Sequence, residues 1–243
     1  MSLSIATLRS DLAAIAADVP LTLIFNGTNV TGLHNVLGDD TEALQKAVDS
    51  GKPAVYLPRG AWRLDGELLL RGRVELFTAC EGRLQGAGRI VLADGDRPAV
   101  HIARLDLIYQ GVSIEQRSRR ELVLSGITMG KGEVHWTGSG AVHLEDVCMG
   151  TLTVPAKASA WARQLNIEVK GGHKILVDGG SLRVLGYKTE QAGICLEVRG
   201  GGSAEIVGGF IYAQGAPKDT PMLICRDASL SATLAETCWN FAK

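Results

Sequence analysis

Aromatic residues make up only 5% of the 243-residue chain, too few bulky side chains to fill a handful of broad core layers. Neither sign of charge is in excess: 25 basic residues against 26 acidic ones leave a net charge of -1. That balance removes the global field that draws a protein to nucleic acid or to an anionic membrane, so any site for a charged ligand is local. No apolar run approaches the roughly 18 to 20 residues of a membrane-spanning helix, and the N-terminus lacks the basic-then-apolar pattern of a secretion signal. Five cysteines, Cys80, Cys148, Cys195, Cys225 and Cys238, are an odd number without a C-x-x-C pair. That count and spacing argue against a disulfide framework and a cysteine zinc site, and the burial tendency of free cysteine makes small buried or semi-buried thiols the expectation. Metalloprotease, nucleophile-elbow, Walker and dinucleotide fingerprints are also missing.

What the chain has is glycine, 30 residues of it, and an apolar fraction of 46%, the composition of many short strands joined by tight turns. ELVLSGITMG (121–130) and AVHLEDVCMG (141–150) share one skeleton, in which alternating apolar positions are interrupted by two residues and then resume. Aligned copies begin at Val100, Leu122, Val142, Ala160, Leu182 and Ala204, 18 to 22 residues apart. Their second apolar positions are Ile102, Leu124, Leu144, Ala162, Val184 and Ile206. Shorter apolar runs at 112–114, 133–136, 151–154, 174–177, 194–198 and 222–225 fall between the copies. Alternation puts every second side chain on one face of a strand, and a two-residue interruption that restores the phase is a corner. One copy cannot fold by itself. About six inward side chains at roughly 1.5 to 3 kcal/mol each do not offset the ordering of some 20 residues at about 1 to 2 kcal/mol apiece. Stacked copies share a core and a hydrogen-bonded ladder, which predicts an all-β, right-handed, single-stranded parallel β-helix, a solenoid.

Such a stack needs its end covered. Apolar residues at helical spacing from Ile5 to Ile15 predict one helix, and DDTEALQKAV (39–48) predicts a second. In the latter Asp39 and Glu42 are spaced like a capping box, Leu44, Ala47 and Val48 form the apolar face, and Gly51 is the stop. The expected organisation is one domain over 1–243, with N-terminal helices and cap over 1–52, β-helix coils over 53–227 and a C-terminal tail or cap over 228–243.

The run GDDTEALQKAV (38–48), with VYLPRG (55–60) and WRL (62–64) after it, resembles the opening of the pectate-lyase-like superfamily. There a "DDT-x-A-L-Q-x-A" helix and a "VYLPxGxYxL" strand pair lead into a right-handed parallel β-helix. The close match spans about 30 residues and is specific for the fold opening. It implies handling of polysaccharide, often acidic, along the outer face, and an extracellular setting. This chain departs from the pattern in being shorter than the usual enzymes and in lacking a polygalacturonase-like set of aspartates in neighbouring repeats.

In a stack, outward side chains at equivalent positions form columns about 4.8 Å apart per coil. One column reads His101, Val123, His143, Trp161, Arg183, Glu205, and a second, past the corner, reads Asp106, Thr128, Cys148, Asn166, Lys188, Phe210. His143, Trp161, Arg163 and Asn166 are the candidate sugar-binding residues, since an indole face and guanidinium forks suit sugars and uronates. Glu145 and Asp146, adjacent at a corner, are candidate ligands for a Ca²⁺ ion that would neutralise a uronate carboxylate. Lys188 or Arg183 would then abstract the neighbouring proton in a β-elimination. The other reading of the acid pair is a solvated corner salt-bridged to Arg163. Glycoside hydrolysis is disfavoured because the corners next to Asp146 carry Gly126 and Gln164, not a second acid. His101 and His143, two coils apart, are too distant to share a zinc ion. The basic run Arg117, Ser118, Arg119, Arg120 is either a solvated loop or an extension of a groove for an anionic chain. Two functions remain open: a lyase-type enzyme on acidic polysaccharide, and a non-catalytic carbohydrate-binding or structural module.

Overall fold

The computed structural model describes residues 22–23, 38–107, 111–215 and 219–239. The helix expected over 5–15 lies outside the described residues. The strands are β1 (Thr22–Leu23), β2 (Ala54–Leu57), β3 (Gly60–Arg63), β4 (Glu67–Gly72), β5 (Leu76–Gln85), β6 (Arg89–Gly95), β7 (Ala99–Asp106), β8 (Ser113–Gln116), β9 (Glu121–Thr128) and β10 (Val134–Trp136). They continue with β11 (Val142–Met149), β12 (Leu152–Val154), β13 (Ser159–Ile167), β14 (Ile175–Asp178), β15 (Ser181–Glu190), β16 (Leu196–Arg199), β17 (Ser203–Gln214), β18 (Leu223–Arg226) and β19 (Ser229–Trp239). Successive long strands pair in parallel, each with the long strand one coil on, in the order β1-β2-β5-β7-β9-β11-β13-β15-β17-β19, with β3 also on β5. The short strands between them build two four-stranded sheets, β4-β6-β8-β10 and β12-β14-β16-β18. The result is an all-β parallel solenoid of about 8 turns.

The period read from the sequence is the coil. Leu122, Val142, Ala160 and Leu182 face one another in register, as do Leu124, Leu144, Ala162 and Val184. All are buried, so each pile is a continuous column of methyl and methylene groups. The expected short strands all form, displaced by no more than a few residues at their ends. Where the apolar rhythm changes, the interior compensates with hydrogen bonds. The Tyr187 hydroxyl donates to the Cys195 carbonyl at 3.1 Å, and the buried Lys174 ammonium donates to Thr189 Oγ1 and the Gln191 carbonyl, each at 2.8 Å.

Each long strand from β7 to β17 bends at one residue, and the bends are stacked. Arg104, Gly126, Asp146, Gln164, Gly186 and Gly208 all hold positive φ, between 52° and 83°, and the registers on either side align them. This is the left-handed region that glycine occupies without a Cβ penalty and that Asp tolerates better than most residues.

One helix is found among the described residues, α1 (Thr41–Val48), with Leu44, Ala47 and Val48 buried. Its N-terminus corrects the capping-box expectation. Asp40 is the N-cap residue and makes no side-chain cap bond, while Glu42 pairs with Lys46 one turn on at 2.7 Å. Asp39 Oδ1 does accept the amide of the first helical residue, Thr41, at 3.1 Å, and both aspartates also dock the helix on the first coil. Asp40 Oδ2 accepts the Arg63 amide at 2.9 Å, and Asp39 Oδ1 accepts the Asp65 amide at 3.1 Å and the Thr41 hydroxyl at 2.6 Å. Gly51, at φ 75°, turns the chain out of the helix. No helix among the described residues is long and apolar enough to cross a membrane.

Candidate functional site

The long sheet carries the residues singled out from the sequence on its outer side, and their columns are real. His143, Trp161, Arg183 and Glu205 are register partners in consecutive strands, and Cys148, Asn166, Lys188 and Phe210 form the second column past the bend. Glu145 and Arg163 are partners just before it.

Within the first column, the His143 and Trp161 rings stack with centroids 5.0 Å apart and planes 10° from parallel. Glu121 Oε2 lies 3.0 Å from His143 Nε2. Burial holds the imidazole below its ordinary pKa, with the Glu121 and Glu145 carboxylates opposing it. A neutral ring wedged under an indole is a support for Trp161 more than a proton-transfer group. One coil further, Arg183 Nε is drawn to Glu205 Oε2 at 2.9 Å. Trp161, Arg183 and Glu205 line an open groove of about 400 Å³ together with Ser181, Ser203, Ser229 and Ser231. Ser159, Ser181, Ser203 and Ser229 are themselves one register column, and the Ser181 hydroxyl lies 3.0 Å from that of Ser159. This hydroxyl ladder was missed in the sequence, although a serine just before the first core residue of each late repeat marks it.

The residues past the bend belong to a separate cluster. Lys188 is held between Glu168 and Glu190, the latter at 2.6 Å. Asn166 Nδ2 donates to the same Glu168 at 2.9 Å. Desolvation lowers the Lys188 pKa, but the hydrogen bonds to Glu168 and Glu190 outweigh it and hold the ammonium above its ordinary value. A lysine clamped in its protonated form is a poor proton acceptor. Glu168 gives no sign in the sequence because it lies outside the repeat skeleton. Lys188, Thr189 and Glu190, by contrast, stand out there as a break in the apolar rhythm, readable either as the intrusion of a site or as the start of a loop.

At the bend, Glu145 is buried and pairs with Arg163 Nη2 at 3.4 Å, while Asp146 is exposed. Asp146 therefore fills the backbone role that glycine fills in three of the six stacked bends. No group of three or more His, Cys, Asp and Glu side chains able to hold a metal ion occurs among the described residues.

The basic run of 117–120 divides by role. Arg120 is buried and donates to the carbonyls of Leu70, Ala93, Arg97 and Ala99 among others. Arg117 grips Glu115 through two bonds of 2.9 Å. The side chain of Arg119 is 86% exposed.

Family models, curated proteins and solved structures compared with the chain yield no match. The solenoid is consistent with the pectate-lyase-like fold that the opening motif resembles.

Proposed function

We propose that the outer face of the long sheet binds polysaccharide without cleaving it, with the polymer lying along the groove beside Trp161. The observation that carries this reading is the groove itself: an indole, a column of serine hydroxyls and the Arg183–Glu205 pair, all mounted on hydrogen-bonded strands. Sugar rings offer an apolar face to an indole and hydroxyls to hydroxyls and carboxylates, so these side-chain types match their surface. Rigid strands keep the ordering cost of binding low.

The charges favour a neutral polymer over the acidic one expected from Arg163, Arg183 and Lys188. Each of these cations already has a carboxylate within the fold: Glu145, Glu205, and Glu168 with Glu190. A uronate would have to displace one of them. The same pairing argues against elimination chemistry, since Lys188 is held protonated and a guanidinium does not give up its proton at neutral pH.

Calorimetric titration with neutral and uronate oligosaccharides, with and without Ca²⁺, tests the reading. Binding of a neutral oligosaccharide that Trp161→Ala weakens by about tenfold or more is expected, from the roughly 1.4 kcal/mol or more that an aromatic contact of this size supplies. No unsaturated-product absorbance should accumulate. Absorbance growing on a uronate polymer in the presence of Ca²⁺ would restore the lyase reading with Glu145 and Asp146 as ion ligands. Equal binding by wild type and Trp161→Ala would remove the groove.

A further inference from the structure

The two short sheets do not join. β10 closes one and β12 opens the other, with no ladder between them. At the carboxyl ends of these strands the break leaves a cleft of about 540 Å³, whose lining includes Trp136, Arg117, Arg119, Lys157 and Asp94. The cleft has a backbone floor, because a Cβ at Gly138 would come within 2.4 Å of the Ser118 main chain. With Arg117 paired to Glu115 and Glu67, Arg119 and Lys157 against Asp94 leave this lining an excess of positive charge, whereas the groove beside Trp161 carries one balanced pair, Arg183 with Glu205.

The cations are not equally engaged. Arg117 is committed to Glu115 and Glu67. Asp94 accepts the Ser118 hydroxyl at 2.7 Å and the Arg119 amide at 3.1 Å, which leaves the Arg119 guanidinium at 4.0 Å, the outer limit of an ion pair. Lys157 is exposed on a turn at φ 67°. A lysine held in the left-handed region is a conformation of some cost, and such costs concentrate at functional sites. Trp136 fixes its indole N–H on the Gly140 carbonyl at 3.3 Å, so the ring is held as a wall beside these charges.

We infer that the cleft between β10 and β12 is a binding site for a sugar unit carrying an oxyanion, a carboxylate or a sulfate ester, with Arg119 and Lys157 holding the anion and Trp136 packing on the ring. Guanidinium and ammonium donors recognise both oxyanions, and an aromatic wall selects a ring-bearing ligand over a free ion. The site stands independently of the groove, since it rests on other residues. The two adjoin, however: Ala158 lines the cleft and Ala160 lines the groove.

Titration of the full-length Trp161→Ala chain, in which the groove is disabled, with a uronate oligosaccharide, a sulfated oligosaccharide, an uncharged oligosaccharide of equal length and inorganic sulfate tests the inference. At least one of the two anionic oligosaccharides should bind, and more tightly than the uncharged one or sulfate. Its affinity should fall as salt is raised. The double variant Arg119→Gln, Lys157→Gln should weaken it about tenfold or more, while Lys46→Gln, Lys52→Gln, which removes the same charge elsewhere, should leave it unchanged. Trp136→Phe should retain binding and Trp136→Ala should lose it. All four side chains exchanged for glutamine are exposed, so folding is preserved, and an unaltered urea midpoint confirms it. Failure of both anionic oligosaccharides to bind, equal binding of the uncharged one, or indifference to the Arg119/Lys157 exchange would each overturn the inference. Because Trp161→Ala leaves the cleft intact, loss of groove binding and loss of cleft binding are separable.

Discussion

At Asp146 a side chain that the sequence offers as a candidate ion ligand also occupies a backbone position that most residues resist. The column of left-handed bends gives the cost a definite sign. Asp146→Gly should leave stability within about 1 kcal/mol of wild type, since glycine already serves at positions 126, 186 and 208. Asp146→Val should lose about 1–2 kcal/mol or more, because a branched Cβ is forced against the following carbonyl. Urea unfolding of the two variants checks this, and similar losses in both would refute it. Glu115 sets a second expectation. The hydrogen bonds from Arg117 hold its carboxyl down from 4.5 to about 2, against desolvation and with help from Thr137 and Arg89. The folded value lies below the ordinary one, so the charged form stabilises the fold above pH 4.5 and that contribution is lost as pH falls toward 2. Glu115→Gln should flatten the stability curve across this interval, as measured by urea midpoints from pH 2 to 6.

Between elements, buried cations add hydrogen-bonded ties to coils that already share one apolar core. Arg120 reaches carbonyls on β4, β6 and β7 and in the turn at Arg97, three coils joined by one guanidinium. Arg120→Met should cost about 2–4 kcal/mol by leaving buried acceptors short of donors, while Arg119→Met, at an exposed position, should stay within about 0.5 kcal/mol; equal effects would contradict the division of roles. That division shows where sequence reasoning stops. The coils, the interior piles and the outward columns were legible because strand alternation and a constant period project directly onto space. Leu124, Leu144 and Ala162 lie in the expected pile for that reason. The roles of Arg117, Arg119 and Arg120 were not legible, since adjacent letters in a turn point in unrelated directions. Lys188 looked like a free base because nothing in the repeat pattern pairs it with Glu168 or Glu190. Asp39 does bind the first helical residue, Thr41, but its additional partner, the Asp65 amide, is 26 residues away and carries no mark in the sequence.

Among the described residues the molecule is a one-dimensional stack in which strands pair only with those of adjacent coils, so stability is largely a sum over coils and their junctions. Arg120 and the Arg117–Glu67 pair reach two coils away. The long sheet is unbroken from β1 to β19, whereas the opposing short strands break between β10 and β12. An unbroken wall suits a surface that must hold a long ligand in register, and the break suits a recessed site. Amide hydrogen exchange with and without a neutral oligosaccharide tests the central claim, that polymer lies across the outer face of the long sheet, most directly. Added protection should fall on residues 159–163, 181–185 and 203–207, in strands β13, β15 and β17, and should vanish in Trp161→Ala. Protection confined to β14, β16 and β18, or no change at any oligosaccharide concentration that saturates the calorimetric signal, would contradict it.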